Sequence, residues 1–209
     1  MTDVDREAGV VPGRRSRAKA DRRRELLRAA ARLIAERGFP GVRLEDLGSA
    51  VGISGPAVYR HFPNKDALLV ELLTDISERL LAGGTDVVER VPDPHRALAE
   101  LVDFHLDFAL GEPDLIRVQD RDLHSLPDKA RHRVRQTQRR YVELWVGVLR
   151  KMDPGLDSTR ARIAAHAAFG LINSTPYSAV SPTADAADGD LTRSVLRRMT
   201  LAALAAETR

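Results

Sequence analysis

The chain has no cysteine among its 209 residues, which excludes a disulfide framework and any thiolate metal site. Aromatic side chains are scarce, 4% of the total with a single tryptophan, so the position of each one is informative. No apolar run approaches the roughly eighteen residues of a membrane-spanning helix, and the amino terminus lacks a signal-peptide core. Cytoplasmic residence, with no membrane partner, is therefore the expectation. Phosphate-binding glycine loops, a G-x-S-x-G elbow and an H-E-x-x-H pair are all missing. Asp103 and Asp107 share a helical face, but carboxylates at this spacing are far more often surface residues than a catalytic dyad. His95 and His105 are too far out of phase to share one. The reading is of a non-enzyme without cofactor or metal. Strand-like alternation and internal repeats are absent as well, which leaves an all-α fold.

What is present is a soluble globular composition, 43% hydrophobic and 30% charged, long enough to bury a substantial core. The net charge of +3 is unevenly distributed. Residues 1–70 hold 14 Lys and Arg against 9 Asp and Glu, and the remainder holds 19 against 21. Positive charge thus gathers in the first third of the chain, as phosphate binding requires.

That third contains the most informative stretch, Arg43–Phe62 (RLEDLGSAVGISGPAVYRHF). Leu44, Leu47 and Val51 recur at helical spacing, with Glu45 and Asp46 facing away. Gly52 can end this helix in a left-handed turn. Ser54 suits an N-cap, and Pro56 costs little in a first turn whose amides have no intrahelical partner. Val58 and Phe62, four apart, can face the first helix, which leaves Tyr59, Arg60 and His61 near the exposed end of the second. Two short helices about a glycine turn predict a helix-turn-helix whose second helix enters the DNA major groove. An ordinary helical hairpin has the same local pattern.

The flanks add to this. An amphipathic helix over Asp21–Arg37, with Leu26, Leu27, Ala30, Leu33 and Ile34 as its stripe, is closed by Gly38 and followed by Phe39-Pro40-Gly41. Asn64 caps a fourth helix, which is expected to run through Leu68, Leu69, Leu72, Leu73, Ile76 and Leu80 and end near Gly83-Gly84. From RELLRAAARLIAERGFPGV through ISGPAVYRHFPNKDALL, about residues 21–70, the chain resembles the DNA-binding domain of the tetracycline-repressor-like (TetR) family of bacterial regulators. The remainder is similar to the family in length and helical character. The resemblance implies a dimeric, all-helical repressor released from a palindromic operator by a small molecule. It also implies backbone contacts from Arg43, Tyr59, His61 and Lys65. Base contacts would come from Ser54, Gly55, Pro56 and Ala57 at the start of the recognition helix, with Arg60 the one nearby side chain able to read guanine.

The expected organisation is a flexible basic arm over 1–20, a DNA-binding domain over 21–67, and a ligand-binding and dimerisation domain over 68–209. The basic cluster Arg14–Ala20 with Arg22, Arg23 and Arg24 reads either as a solvated run or as a phosphate-contacting arm. Further helices are expected from Pro92-Asp93-Pro94 to Leu110, from Ser125–Asp128 to Met152, from Asp157 or Ser158 to about Thr175, and over Leu191–Thr208. A segment over Pro113–Leu123 and a loop over Ser181–Asp190 join them.

Phe104 and Phe108 lie one turn apart, as do Tyr141 and Trp145, while Phe169 and Tyr177 are placed in the eighth helix with Asn173. These residues read as plain core, or, by the resemblance, as the wall of a cavity for an apolar or amphipathic effector. The run Gln138–Trp145 loosely resembles family members that control lipid or sterol breakdown and sense acyl-coenzyme A thioesters. The basic first half of its helix (Lys129, Arg131, Arg133, Arg135, Arg139, Arg140) can meet phosphates or simply face solvent. Small residues in the last two helices, among them Ala161, Ala164, Ala165, Ala168, Ile172, Ala202, Ala203 and Ala205, suit a four-helix dimer interface. The rival readings are a DNA-binding architectural protein without ligand and an all-helical enzyme. A large non-DNA domain disfavours the first, and the missing catalytic constellation disfavours the second.

Overall fold

The computed structural model describes residues 14–174 and 186–208. Among them are nine α-helices and no strand: α1 Arg14–Arg37, α2 Leu44–Ala50, α3 Gly55–Tyr59, α4 Lys65–Arg90, α5 Pro94–Gly111, α6 Pro113–Asp122, α7 Asp128–Met152, α8 Ser158–Ile172 and α9 Ala186–Glu207. Helices α1 to α3 form a small N-terminal unit about Leu26, Ile34, Leu47, Val58 and Phe62, all fully buried. In the larger unit α7 packs on α4, α5 and α8, and α9 packs on α8 and α5. Helix α4 belongs to both units. Its Leu68 and Leu69 are fully buried at one end, and Ile76, Leu80 and Val87 are buried further along.

Several boundaries differ from the sequence expectation. Helix α1 starts at Arg14, so the basic cluster before Asp21 is helical instead of a flexible arm. Arg, Lys and Ala are good helix formers, and this turn shows no apolar periodicity because residues 17–20 are exposed. Helix α4 does not stop at Gly83-Gly84 but continues to Arg90. The glycines serve close packing: a Cβ on Gly83 would overlap the tip of the Phe104 ring, and one on Gly84 would lie 2.6 Å from Tyr141 Cε2. Pro113–Asp122 is a helix in its own right. Helix α8 ends at Ile172, with Asn173 as its C-cap, and α9 begins at Ala186, inside the expected loop. Thr175, Pro176, Tyr177 and residues 181–185 lie outside the described residues.

The two units are joined by α6 as well as α4. Asp122 is buried at 2% exposure, accepts the Phe39 N–H at 3.2 Å and pairs with the Arg121 guanidinium at 3.0 Å. Arg121 in turn donates to the Ile34 and Ala35 carbonyls, which end α1. Side chains from the larger unit thus satisfy the carbonyl end of a DNA-domain helix. Asp122→Ala would leave the Phe39 amide unpaired and remove the partner of Arg121. It should cost about 1–3 kcal/mol, read as a lowered urea midpoint. An unchanged midpoint would count against this clasp.

Candidate nucleic-acid interface and effector cluster

The turn between α2 and α3 is built as its residues dictate. Gly52 sits at φ +71°, and Ile53 N donates to Gly48 O at 2.9 Å. A Cβ on Gly48 would come within 2.8 Å of the Ile53 carbonyl and 3.1 Å of Val58 Cγ2, so this glycine lets the turn close onto α2. Ser54 occupies the N-cap position of α3 but its side chain makes no capping bond, and Pro56 lies in the first turn. Val58 and Phe62 anchor the helix from beneath, both fully buried.

Arg43, Ser54, Pro56, Tyr59 and Arg60 are exposed, while Gly55 and Ala57 are half-buried. Tyr59 Oη donates to Glu45 Oε1 at 2.9 Å, and this bond to a carboxylate pushes the phenol above its ordinary pKa. His61 is half-buried, and its Nδ1 has no hydrogen-bond partner among the described residues. Burial first, then the nearby cations Arg23, Lys19, Arg60 and Arg22, push its imidazole below the usual range, so it is neutral near pH 7. Lys65 is half-buried. Its Nζ donates to the carbonyls of Phe39 at 2.9 Å and Pro40 at 3.3 Å and lies 4.6 Å from the Phe39 ring centroid. It therefore fixes the loop before α2, a task invisible in the sequence.

Part of the basic cluster is likewise structural. Arg23 pairs with Glu71 of α4, donates to the His61 carbonyl and lies 4.4 Å from the Phe62 ring centroid. Arg22 bridges Glu25 and the Val51 carbonyl. Arg17 and Lys19 stay exposed on the first turns of α1.

In the larger unit, Phe108, Tyr141, Trp145 and Phe169 converge on one residue that sequence reasoning set aside, His105. Its ring centroid lies 5.0 Å from Phe169, 5.7 Å from Tyr141, 6.0 Å from Phe108 and 6.1 Å from Trp145. Tyr141 Oη is 3.1 Å from His105 Nδ1, and Asn173 Oδ1 is 3.0 Å from Nε2. An amide oxygen only accepts, so the network puts the imidazole proton on Nε2, and Nδ1 accepts from the tyrosine hydroxyl. Burial lowers the His105 pKa to about 4, against a smaller opposing effect of the Asn173 bond, and burial pushes the Tyr141 phenol up. Phe104 stands apart from these rings and leans on Gly83. The available signal for His105 was its spacing: Leu98, Leu101, Val102, His105, Leu106 and Ala109 form one buried stripe of α5.

A cleft of about 890 Å³ opens between α4 and the first half of α7, with Val70, Thr74, Ser77, Val134 and Thr137 on its walls. None of the cluster rings lines it. Acidic side chains of α4 and Arg133 also border it, so its wall is of mixed charge, unlike the aromatic cluster.

Most alanines of α8 are used inside the subunit: Ala161 and Ala165 are fully buried and Ala168 nearly so, while Ala167 is exposed. The exposed apolar surface of the last two helices comes instead from Ile163 at 64% exposure, Leu191 at 63% and Met199 at 49%, with Ala202 and Ala203 also exposed.

Residues 26–72, which include the whole helix-turn-helix, match the family described as bacterial regulatory proteins, tetR family, and residues 92–177 match the tetracyclin repressor-like C-terminal domain. The chain belongs to the TetR family. It is a TetR-family helix-turn-helix transcriptional regulator, all-helical, with a small DNA-binding unit and a larger helical domain. It is 29% identical over 166 residues to the HTH-type transcriptional regulator EthR of Mycolicibacterium smegmatis, covering 78% of this chain and 70% of that one. Its fold is similar to that of a TetR-family regulator from Bordetella parapertussis, with TM-score 0.76 and 23% identity over 87% and 93% of the two chains. It is also similar to AibR, solved in complex with isovaleryl coenzyme A and operator DNA, with TM-score 0.69 and 17% identity over 85% and 97%. No described helix of this TetR regulator is long and apolar enough to cross a membrane.

Proposed function

We propose that this TetR regulator is a dimeric repressor that leaves a palindromic operator when an apolar or amphipathic effector enters its aromatic cluster. The observation that carries the reading is the joining of two features by one helix. Arg43, Ser54, Pro56, Tyr59 and Arg60 are exposed in the unit to which α4 is tied by Lys65 and Glu71, and Gly84 of the same helix meets the Tyr141 ring. In this reading residues 21–67 bind DNA and residues 68–209 bind effector and partner subunit. Arg43, Tyr59, His61 and Lys65 hold phosphates, while Ser54, Gly55, Pro56, Ala57 and Arg60 approach base edges. Phe104, Phe108, Tyr141, Trp145, Phe169 and Asn173 surround the effector.

Dimerisation uses α8 and α9, where Ile163 and Met199 offer unpartnered apolar area. Small residues at 202 and 203 allow close approach there. An acyl-coenzyme A thioester suits the site: Arg139 and Arg140 are exposed on α7 immediately before the buried Tyr141, so phosphates outside and an acyl chain inside would meet opposite faces of one helix. Action on operator DNA places the protein in the cytoplasm and gives it no catalytic step. The names of its relatives as regulators support this.

The test begins with selection of bound duplexes from a random pool, which should return a palindrome. On that operator Arg43→Ala should weaken binding to all sequences alike and flatten the log–log salt slope by about 0.9 for each phosphate no longer neutralised. Lys65→Ala should do the same and also lower stability, because its bonds to the Phe39 and Pro40 carbonyls go with it. A salt slope unchanged in Arg43→Ala would sink the phosphate assignment.

A further inference from the structure

We infer that the effector of this site carries an uncharged hydrogen-bond acceptor, a carbonyl oxygen on an otherwise apolar frame, and that the Trp145 indole N–H donates to it. The inference rests on the aromatic cluster being the effector site and adds the chemistry of what it takes.

Trp145 is fully buried, and its Nε1 has no hydrogen-bond partner among the described residues. Buried donors are almost always paired, because an unpaired one forfeits its hydration without replacement. The indole lies near enough to the Tyr141 oxygen to ease that phenol's ionisation slightly, yet the two make no hydrogen bond of acceptable geometry. The Tyr141 hydroxyl and both His105 nitrogens are already engaged. Tyr141 O–H points to His105 Nδ1, and His105 Nε2–H points to Asn173 Oδ1. The indole N–H is therefore a donor left over inside a shell of rings, Phe169 at 4.9 Å and Tyr141 at 6.3 Å between centroids.

Charge decides the rest. Phe108, Tyr141, Trp145 and Phe169 carry none, and His105 is neutral across the physiological range. A buried carboxylate or ammonium would meet no counter-ion and would lose its hydration. An uncharged carbonyl loses little and gains the waiting donor. The rings touch one another, so a ligand takes its place by turning them, and the open arrangement is a minor state that the ligand makes dominant.

Ketones, esters and thioesters share this chemistry. The full-length protein, isotope-labelled at its single indole nitrogen, gives one indole resonance to follow. It is titrated with methyl nonyl ketone, methyl decanoate, octanoyl-coenzyme A, undecane and decanoate, while operator binding is measured in parallel. The uncharged carbonyl probes should move the indole proton downfield and release operator. Undecane should bind about tenfold more weakly than the ketone, without the downfield shift, and ionised decanoate more weakly still. Release by octanoyl-coenzyme A but not by the ketone assigns the carbonyl to a thioester with its head outside; the reverse assigns it to a free carbonyl compound.

Trp145→Phe keeps a ring and removes the donor, and should reduce the preference for ketone over undecane to less than about twofold in the operator-release assay. Wild-type binding of undecane as tight as that of both ketone and thioester, a downfield shift with neither ketone nor thioester, or no binding by any carbonyl probe would overturn the inference. A probe that releases operator and leaves the indole resonance unmoved would overturn the site assignment itself. Release with a moved resonance that ignores the carbonyl overturns the acceptor alone.

Discussion

Gly84→Ala should weaken operator binding roughly 5–150-fold in the absence of any effector, the range of ordinary allosteric coupling. The added methyl would lie 2.6 Å from Tyr141 Cε2 and 3.2 Å from its Cδ2. Tyr141 is buried and bound to His105, so its ring has no easy way out and α4 must yield. That helix is tied to the DNA-binding unit by the Arg23–Glu71 pair and by Lys65 on the Phe39 and Pro40 carbonyls. A dimer reading half-sites about 34–36 Å apart does not tolerate a change in the distance between its recognition helices. In the proposed function the substitution imitates an effector that pushes on Tyr141. Gly83→Ala is the matched comparison: it meets only the tip of Phe104, a half-buried ring able to swing, and its effect should be much smaller. Replacing glycine by alanine inside a helix contributes about 1 kcal/mol of stability, which offsets part of an overpacking cost of about 1–3 kcal/mol. Operator affinity by fluorescence anisotropy, with thermal unfolding beside it, checks the outcome. Affinity within about twofold of wild type in a folded Gly84→Ala protein would exclude this contact as the route of coupling.

His105 should make the protein markedly acid-sensitive. Its folded-state pKa of about 4 lies below the ordinary 6.5, so the folded chain favours the neutral ring and the unfolded chain takes up the proton first. The stabilisation is complete above pH 6.5 and is lost as the pH falls toward 4. By pH about 4.5 the loss amounts to about 2–3 kcal/mol. Carboxylates titrate in the same window, so the informative quantity is the difference between wild type and His105→Gln in urea unfolding at neutral and acid pH. The variant, unable to take up the proton, should begin less stable at neutral pH and close the gap by about 2–3 kcal/mol on acidification. A gap that stays constant would show that this imidazole is not held neutral by burial.

The helix-turn-helix was legible because its information is local. Apolar spacing in Leu44, Leu47 and Val51, the left-handed Gly52 and the early Pro56 each act within a turn or two, and the observed φ of +71° at Gly52 agrees. The aromatic residues of the larger domain were legible as a set, since helical spacing puts Tyr141 and Trp145 on one face of α7, where both are buried. Their common centre was not. His105 looked like one of six scattered histidines, and only its stripe with Leu101 and Ala109 hinted at burial. Gly83-Gly84 read as a stop signal because glycine has two uses, ending helices and admitting close neighbours. Nothing nearby in the chain distinguishes them when those neighbours are rings from residues 104 and 141. The alanines of α8 were ambiguous in the same way between packing inside a subunit and packing across a dimer. The structure places Ala161, Ala165 and Ala168 inside.

By itself the sequence determined most of the helical segments, where positive charge gathers and which short helix can face DNA, since propensity, periodicity and capping act over neighbouring residues. Only the tertiary structure decided what those helices press against. The Arg121–Asp122 clasp on the end of α1 joins residues more than eighty positions apart, and Lys65 is turned back onto the Phe39 and Pro40 carbonyls. The indole of Trp145, without a hydrogen-bond partner among the described residues, owes that state to the rings around it. Such pairings depend on how whole helices cross, a choice made by burial and close packing across the molecule instead of by any stretch of chain.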